Sequence, residues 1–318
     1  MDRPGAVAQV RDAVARFARD RRLDPGPWCV ALSGGADSLA LTVAAAGVRP
    51  TTALIVDHGL QPGSATVAAT AHSQAVEAGC VAAQIITVQV GERGGPEAAA
   101  RTARYDALDR ARAGRPVLLA HTLDDQAETV LLGLGRGSGA RSIAGMRPLD
   151  PPWCRPLLGV RRALTRTACT EAGLTPWDDP HNSDPRYTRV RLRTEVLPLL
   201  EDVLAGGVAE ALARTATALR EDNDALDAIA GTALADLGRH PDVAALAALP
   251  GAVRRRVLRG WLLSYGASGL TDKHIRAVEE LITGWRGQGA VAVPGGGPRQ
   301  RLFAGRQGAT LGLHTEPV

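Results

Sequence analysis

The chain has 318 residues, 45% of them apolar and 22% charged, and a formal net charge of +4. This excludes a disordered chain, which combines low hydrophobicity with high net charge, and leaves room for two domains of about 100–200 residues each. No run approaches the ~20 apolar residues of a membrane span, and the charged N-terminus lacks the apolar centre of a secretory signal, so a cytoplasmic protein with no membrane partner is expected.

In chain order, Trp28–Leu32 is the first buried-strand candidate, followed by Ala53–Asp57, Ala83–Val90 and Pro116–Ala120. Helical patterns at Asp37–Ala46, Ser64–Ala78 and Pro96–Ala113 lie between them, and a further helix is predicted from Leu123 to about Leu134. Strands alternating with helices predict βαβ units and a parallel, doubly wound α/β sheet of Rossmann-like type. Continuous apolar strands fit burial on both faces. The Gly-rich stretch 133–145 then breaks the pattern, and the Arg-rich segment 155–187 reads as a mixed connecting region. Thr188–Leu237 reads as helical, with further helices at Pro250–Ser264 and Thr271–Trp285 and a small β element between Gly289 and Leu313. The expected domains are 1–200, carrying the sheet, and 201–318, mainly helical.

Chemistry first enters at Ser33-Gly34-Gly35-Ala36-Asp37-Ser38, between the first strand and its helix. Two glycines permit a tight turn and close approach of an anion, and the helix N-terminus faces that anion with free N–H groups. Ser33 and Ser38 add hydroxyls. The Walker A and dinucleotide spacings are absent, and no lysine is at hand to neutralise phosphate. A carboxylate beside a polyphosphate is repelled unless a cation bridges the two, so Asp37 is expected to help hold Mg²⁺. The plainer alternative is that Ser33 and Asp37 cap the helix. The SGGADS turn, with Leu32 before it, resembles the PP-loop of the N-type ATP pyrophosphatases. That resemblance implies ATP as co-substrate, cleavage between its α- and β-phosphates, and adenylation of a substrate oxygen.

Ligands of open α/β sheets bind beyond the carboxyl ends of the strands. Asp57 and His58 follow the second strand and are expected beside the glycine turn, against adenosine, unless they only make local turn bonds. Glu97, Arg101, Arg104 and Tyr105 share one side of a helix, where Glu97 and Arg101 also fit a solvated i,i+4 pair. After the fourth strand comes His121-Thr122-Leu123-Asp124-Asp125-Gln126-Ala127-Glu128. Thr122 and Asp125 fit a capping box, which leaves Glu128 unexplained. Asp125 and Glu128 neighbour each other at i,i+3, and two carboxylates there suit a metal or a substrate ammonium. Arg186, Arg189, Arg191 and Arg193 cluster beside Tyr187, either as a solvated face or as phosphate contacts. Arg254 and Arg255 belong to a second basic patch.

Taken together, VDHGL at 56–60, HTLDDQAETVLLGLGRGSG at 121–139, Gly145-Met146, RPLL at 155–158, WDDPHNSD at 177–184 and the Arg189–Arg193 stretch are similar to the tRNA(Ile)-lysidine synthetase family. Val190 departs from it, since asparagine is common there. The resemblance implies a ligase that joins L-lysine to C2 of the cytidine at the first anticodon position of tRNA(Ile), through an adenylated cytidine. It implies Ser33, Gly34, Gly35, Ala36, Asp37, Ser38, Asp57, His58 and Arg101 at ATP, and Asp37 at Mg²⁺. Asp125 and Glu128 would hold lysine. Asp37, Asp125, Glu128, Arg191 and Arg193 would serve catalysis, and Arg186, Arg189, Arg254 and Arg255 would contact tRNA. Oligomeric state stays open, a dimer being compatible. The rival is another PP-loop adenylating ligase such as a tRNA thiolation enzyme, although Cys80, Cys154 and Cys169 lack the spacing of a catalytic pair.

Overall fold

The computed structural model describes residues 4–59, 63–89, 91, 96–137, 139–297 and 299–317. The chain divides into two compact units, Met1–Gly137 with Ser142–Ala216 and Ser138–Arg141 with Thr217–Val318.

The first unit opens with α1 (Ala6–Asp20), whose Ala6, Val10, Val14 and Ala18 recur at i+4 and are buried. The glutamate Glu171, far along the chain, caps α1 by accepting the N–H groups of Ala6 (2.8 Å) and Val7 (3.0 Å). There follow β1 (Trp28–Ala31), α2 (Ala36–Ala46), β2 (Thr51–Asp57), α3 (Ser64–Glu77), β3 (Ala82–Thr87), α4 (Pro96–Ala111), β4 (Val117–Leu118) and α5 (Leu123–Gly135). The sheet is completed after α6 (Ala140–Ile143) by β5 (Leu149–Asp150) and β6 (Trp153–Cys154), and α7 (Arg162–Glu171) packs beside α1 and α2.

The strand order is β3-β2-β1-β4-β6-β5, parallel except for β5. Register pairs Val30 with Ala53 and with Leu118, so β1 is central. The order reverses between β1 and β4. A crevice therefore opens beyond their carboxyl ends, where the turns leading into α2 and α5 lie. The core combines Trp28, Val30, Leu39, Leu41, Ile55, Leu118 and Leu157.

Three expectations need correction. Ala83–Val90 is not buried on both faces: β3 is an edge strand with Ile85 40% exposed, and Val90 lies outside the described residues. Segment 155–187 is not merely connecting, because it holds α7. Its inward positions are Thr165, Ala168 and Cys169, too small and mixed to stand out among arginines. The helical run from Thr188 is broken into α8 (Thr188–Arg191), a π turn (Leu192–Val196), α9 (Leu197–Val203) and α10 (Val208–Leu237).

The division between the units falls within α10. The second unit continues with α11 (Val243–Ala248), α12 (Gly251–Ser264) and α13 (Asp272–Thr283). They pack with a three-stranded antiparallel sheet of β7 (Val291–Val293), β8 (Gln300–Gln307) and β9 (Thr310–Pro317). Its core holds Leu246, Leu258, Trp261, Leu262, Leu281 and Leu311.

Candidate active site

The glycine turn sits where β1 gives way to α2. Gly34 has φ of +85°, a conformation that favours glycine, and its carbonyl accepts the Trp177 N–H at 2.9 Å. Gly35 is the N-cap of α2, and no side chain caps it. The simple capping account of Ser33 and Asp37 therefore fails. The two serine hydroxyls lie 3.1 Å apart, and Ser38 Oγ also accepts the Ser33 N–H (3.2 Å) and donates to the Gly35 carbonyl (2.9 Å).

Asp37 turns instead toward α7. One carboxylate oxygen accepts a short hydrogen bond from the Thr165 hydroxyl, and the other accepts from Arg162 Nε at 3.3 Å. Burial pushes its carboxyl above the ordinary value, with Asp125 adding to that and Thr165 and Arg162 opposing it. Arg162 also donates to Asp125 Oδ1 (2.6 Å) and Glu128 Oε1 (3.4 Å), while its backbone N–H donates to Asp124 Oδ2 (2.7 Å). Glu128 is fully buried and receives Arg193 Nε at 2.8 Å and Nη2 at 3.3 Å. Three carboxylates from α2 and α5 thus meet two guanidiniums in one cluster.

The capping-box reading of Asp125 holds, and its two oxygens serve different partners. Oδ2 completes the capping box with the Thr122 N–H (2.8 Å) and hydroxyl (2.9 Å), and Oδ1 faces Arg162. Burial would raise its pKa, but Arg162, the Thr122 N–H and His121 hold it below the usual value. Gln126 secures the neighbouring loop through both the N–H (2.8 Å) and carbonyl (3.2 Å) of Met146. A Cβ on Gly145 would collide with that amide at 2.7 Å, which accounts for the Gly145-Met146 pair.

The basic side of the site lies on α4 and the loops after β2 and β4. Arg101 bonds the Tyr105 hydroxyl at 3.2 Å and stacks over its ring. Burial, together with Arg155, Arg101 and Arg104, lowers the His121 pKa to about 4 against the pull of Asp125. His58 is likewise lowered by burial and by Arg104. Nδ1 of each imidazole is buried without a hydrogen-bond partner among the described residues. Asp57 behaves as the plain-turn alternative has it, accepting the Gly59 N–H at 3.0 Å. The side chain of Glu97, and Leu60 of the VDHGL run, lie outside the described residues.

The arginine cluster separates into different environments. Arg193 reaches Glu128, whereas Arg191 forms an exposed pair with Glu195 at 2.8 Å and is not brought to the carboxylates. The π turn shifts helical phase between them, a feature frequent at functional sites and not visible in sequence spacing. Arg186 is 82% exposed and holds Asp184, and Arg189 is exposed. In the second unit Arg254 is bound to the buried Glu279 (2.9 Å) and to the carbonyls of Ala247 and Leu249, with Arg255 also on Glu279. Sequence reasoning does not single out Arg162 and Thr165, because it does not find the helix that carries them. Asp124, which the sequence assigns only to a helix terminus, in fact holds the start of α7.

Among the described residues no group of three His, Cys, Asp or Glu side chains could cage a metal. Mg²⁺ commonly takes only one or two carboxylates and completes its shell with phosphate oxygens and water. Asp37 is the carboxylate at the glycine turn, and its two oxygens accept from Thr165 and Arg162.

The PP-loop domain family matches residues 8–200, and the TilS substrate binding domain matches residues 242–307. The chain is 67% identical to the tRNA(Ile)-lysidine synthase of Mycobacterium tuberculosis (strain ATCC 25618 / H37Rv), over 100% of both chains. It is 65% identical to the protein of the same name from Mycobacterium leprae (strain TN), again over 100% of both. Among solved structures, the U34-tRNA thiolase NcsA from Methanococcus maripaludis aligns with a TM-score of 0.55 at 17% identity, covering 68% of this chain and 80% of that one. That likeness concerns the fold alone, and the thiolation alternative is not favoured. With a PP-loop sheet, a second matched domain and full-length relatives, the chain belongs to the tRNA(Ile)-lysidine synthase family of ligases.

Proposed function

We propose that this chain makes lysidine in tRNA(Ile), in the cytoplasm, from ATP and free L-lysine. The C2 carbonyl oxygen of the first anticodon cytidine attacks the α-phosphorus of ATP, and pyrophosphate leaves. The ε-amine of lysine then attacks C2, AMP departs, and the amine loses a proton. The observation that carries this reading is the meeting of the glycine turn's Asp37 with Asp125 and Glu128 around shared guanidiniums. Such a cluster sets a phosphate cradle beside a carboxylate pair suited to an ammonium.

Ser33, Gly34, Gly35, Ala36 and Ser38 take the β- and γ-phosphates, stabilising charge on the departing pyrophosphate. Asp57, His58 and Arg101 lie toward the nucleoside. Mg²⁺, when bound at Asp37, neutralises phosphate charge. Asp125 and Glu128 orient the lysine amine, and Arg193 secures Glu128 and steadies the adenylated base. Arg191, on the surface, serves catalysis less directly than Arg193. The segment 201–318 serves tRNA recognition. Arg186 and Arg189 are the most accessible phosphate contacts. Arg255, with 32% of its side chain exposed against 14% for Arg254, is the better contact of that pair.

Nucleosides from tRNA incubated with ATP and labelled lysine should contain labelled lysidine by mass analysis, and sustained pyrophosphate release should need tRNA and lysine together. Release with tRNA and a sulfur donor instead would overturn the assignment. Gly34→Ala is expected to cost about 1–2 kcal/mol in backbone strain. The space around its Cβ is ordinary, 3.6 Å from Val67 Cγ1, so the strain alone should weaken the phosphate cradle and raise KM for ATP. The rise should be roughly tenfold for each ~1.4 kcal/mol of phosphate binding that the turn gives up. Steady-state kinetics at saturating tRNA would measure it.

A further inference from the structure

Arg162 lies outside the motifs that carry the family resemblance, yet its side chain touches all three carboxylates of the site. It is the first residue of α7, and a cation in the first turn of a helix opposes the helix dipole. Helix stability therefore gives no reason for an arginine there. Three residues on, Thr165 of the same helix takes the other oxygen of Asp37. The first turn of α7 thus grips Asp37 with two side chains, while the Arg162 guanidinium extends to Asp125 at 2.6 Å and Glu128 at 3.4 Å. Asp124 fixes the base of this arm through the Arg162 N–H. The packing of α7 on α1 and α2 anchors it from behind.

We propose that Arg162 is a positioning residue for ligation: its guanidinium ties the carboxylate of the glycine turn to the Asp125–Glu128 pair, setting the separation between the phosphate end and the amine end of the site. The proposal rests on the lysine-ligation reading. The charge balance agrees with it. Against Asp37, Asp125 and Glu128 stand Arg162 and Arg193, so the carboxylates of the cluster outnumber its guanidiniums by one and the site favours a further cation. A planar guanidinium with several fixed donors can hold three separate acceptors, whereas a lysine ammonium is a point charge on a flexible stem. Arg162→Lys therefore keeps the charge and loses the geometry.

The test compares the full-length wild type with Arg162→Lys and Arg162→Met. Readouts are kcat, KM for lysine, single-turnover pyrophosphate release with tRNA and ATP alone, and melting temperature. Misplacement of about 1 Å costs on the order of 10²-fold in rate. Arg162→Lys should thus lose about 10²-fold in kcat with KM for lysine little changed, and pyrophosphate release and lysine transfer should slow together. Arg162→Met should not raise KM for lysine, because it increases the surplus negative charge. Wild-type kcat in Arg162→Lys would overturn the proposal, leaving a counter-ion role that only the melting temperature reports. Slowing of one half-reaction alone would also overturn it. Absence of lysidine from the wild type would sink the ligation reading itself, and this proposal with it.

Discussion

Asp37→Asn is expected to cut lysidine formation by at least about 10²-fold while leaving the melting temperature at pH 7.5 unchanged or higher. The activity loss follows from position. Asp37 is the single carboxylate in the glycine turn, and it lies within reach of both the phosphate cradle and Arg162. The stability effect follows from burial, which raises its pKa above the unfolded value. A carboxyl group raised in the folded state adds stability only below its unfolded pKa, and that stability disappears as pH climbs through the folded pKa. At pH 7.5 the ionised group therefore costs the fold something that a neutral asparagine does not. Asparagine can still accept from Arg162 and donate to Thr165. Differential scanning calorimetry without nucleotide or divalent cation should show any advantage of the variant shrinking as pH falls toward 4. A variant that melts well below wild type at pH 7.5 would contradict this account.

The sheet is legible in the sequence because its signals are local. Each strand from β1 to β4 is a short apolar run followed by a turn and a helix, and the glycine turn is the one between β1 and α2. Asp125 and Glu128 are legible because their i,i+3 spacing is a property of one helix. What stays hidden depends on distant partners. The cap on α1 comes from Glu171, and nothing near Gly5 announces it. Arg162 is one of many arginines, and only the fold shows that it meets carboxylates from two other elements. Arg191 and Arg193 look equivalent in sequence. A π turn makes one a surface pair and the other the partner of a buried glutamate. Arg254 and Arg255 look like an exposed basic patch, yet Glu279 on α13 draws both inward.

Glu128→Gln should behave oppositely to Asp37→Asn in stability, though both lower lysidine formation. Glu128 is fully buried and is the shared acceptor of Arg162 and Arg193, so neutralising it takes the close carboxylate from Arg193, which keeps only Asp125 at 3.7 Å, and one of three carboxylates from Arg162. Breaking one side of a buried ion pair costs about 3–5 kcal/mol, because the remaining charge stays out of water without compensation. Glutamine retains one carbonyl acceptor, which places the expected loss near the lower end, about 3 kcal/mol. For a unit of this size that is a fall in Tm of roughly 6–12 °C. Lysidine formation should drop by about 10³-fold or more, since Arg193 loses the anchor that aims it and the ammonium loses one of its two carboxylates. Glu128→Asp separates the two effects. It restores the negative charge, and with it most of the melting temperature, but a shorter arm cannot span both arginines at 2.8 Å and 3.4 Å, so catalysis stays low. Thermal melts beside single-turnover lysine transfer would decide it. Equal melting temperatures for wild type and Glu128→Gln would mean that the two guanidiniums do not depend on this carboxylate.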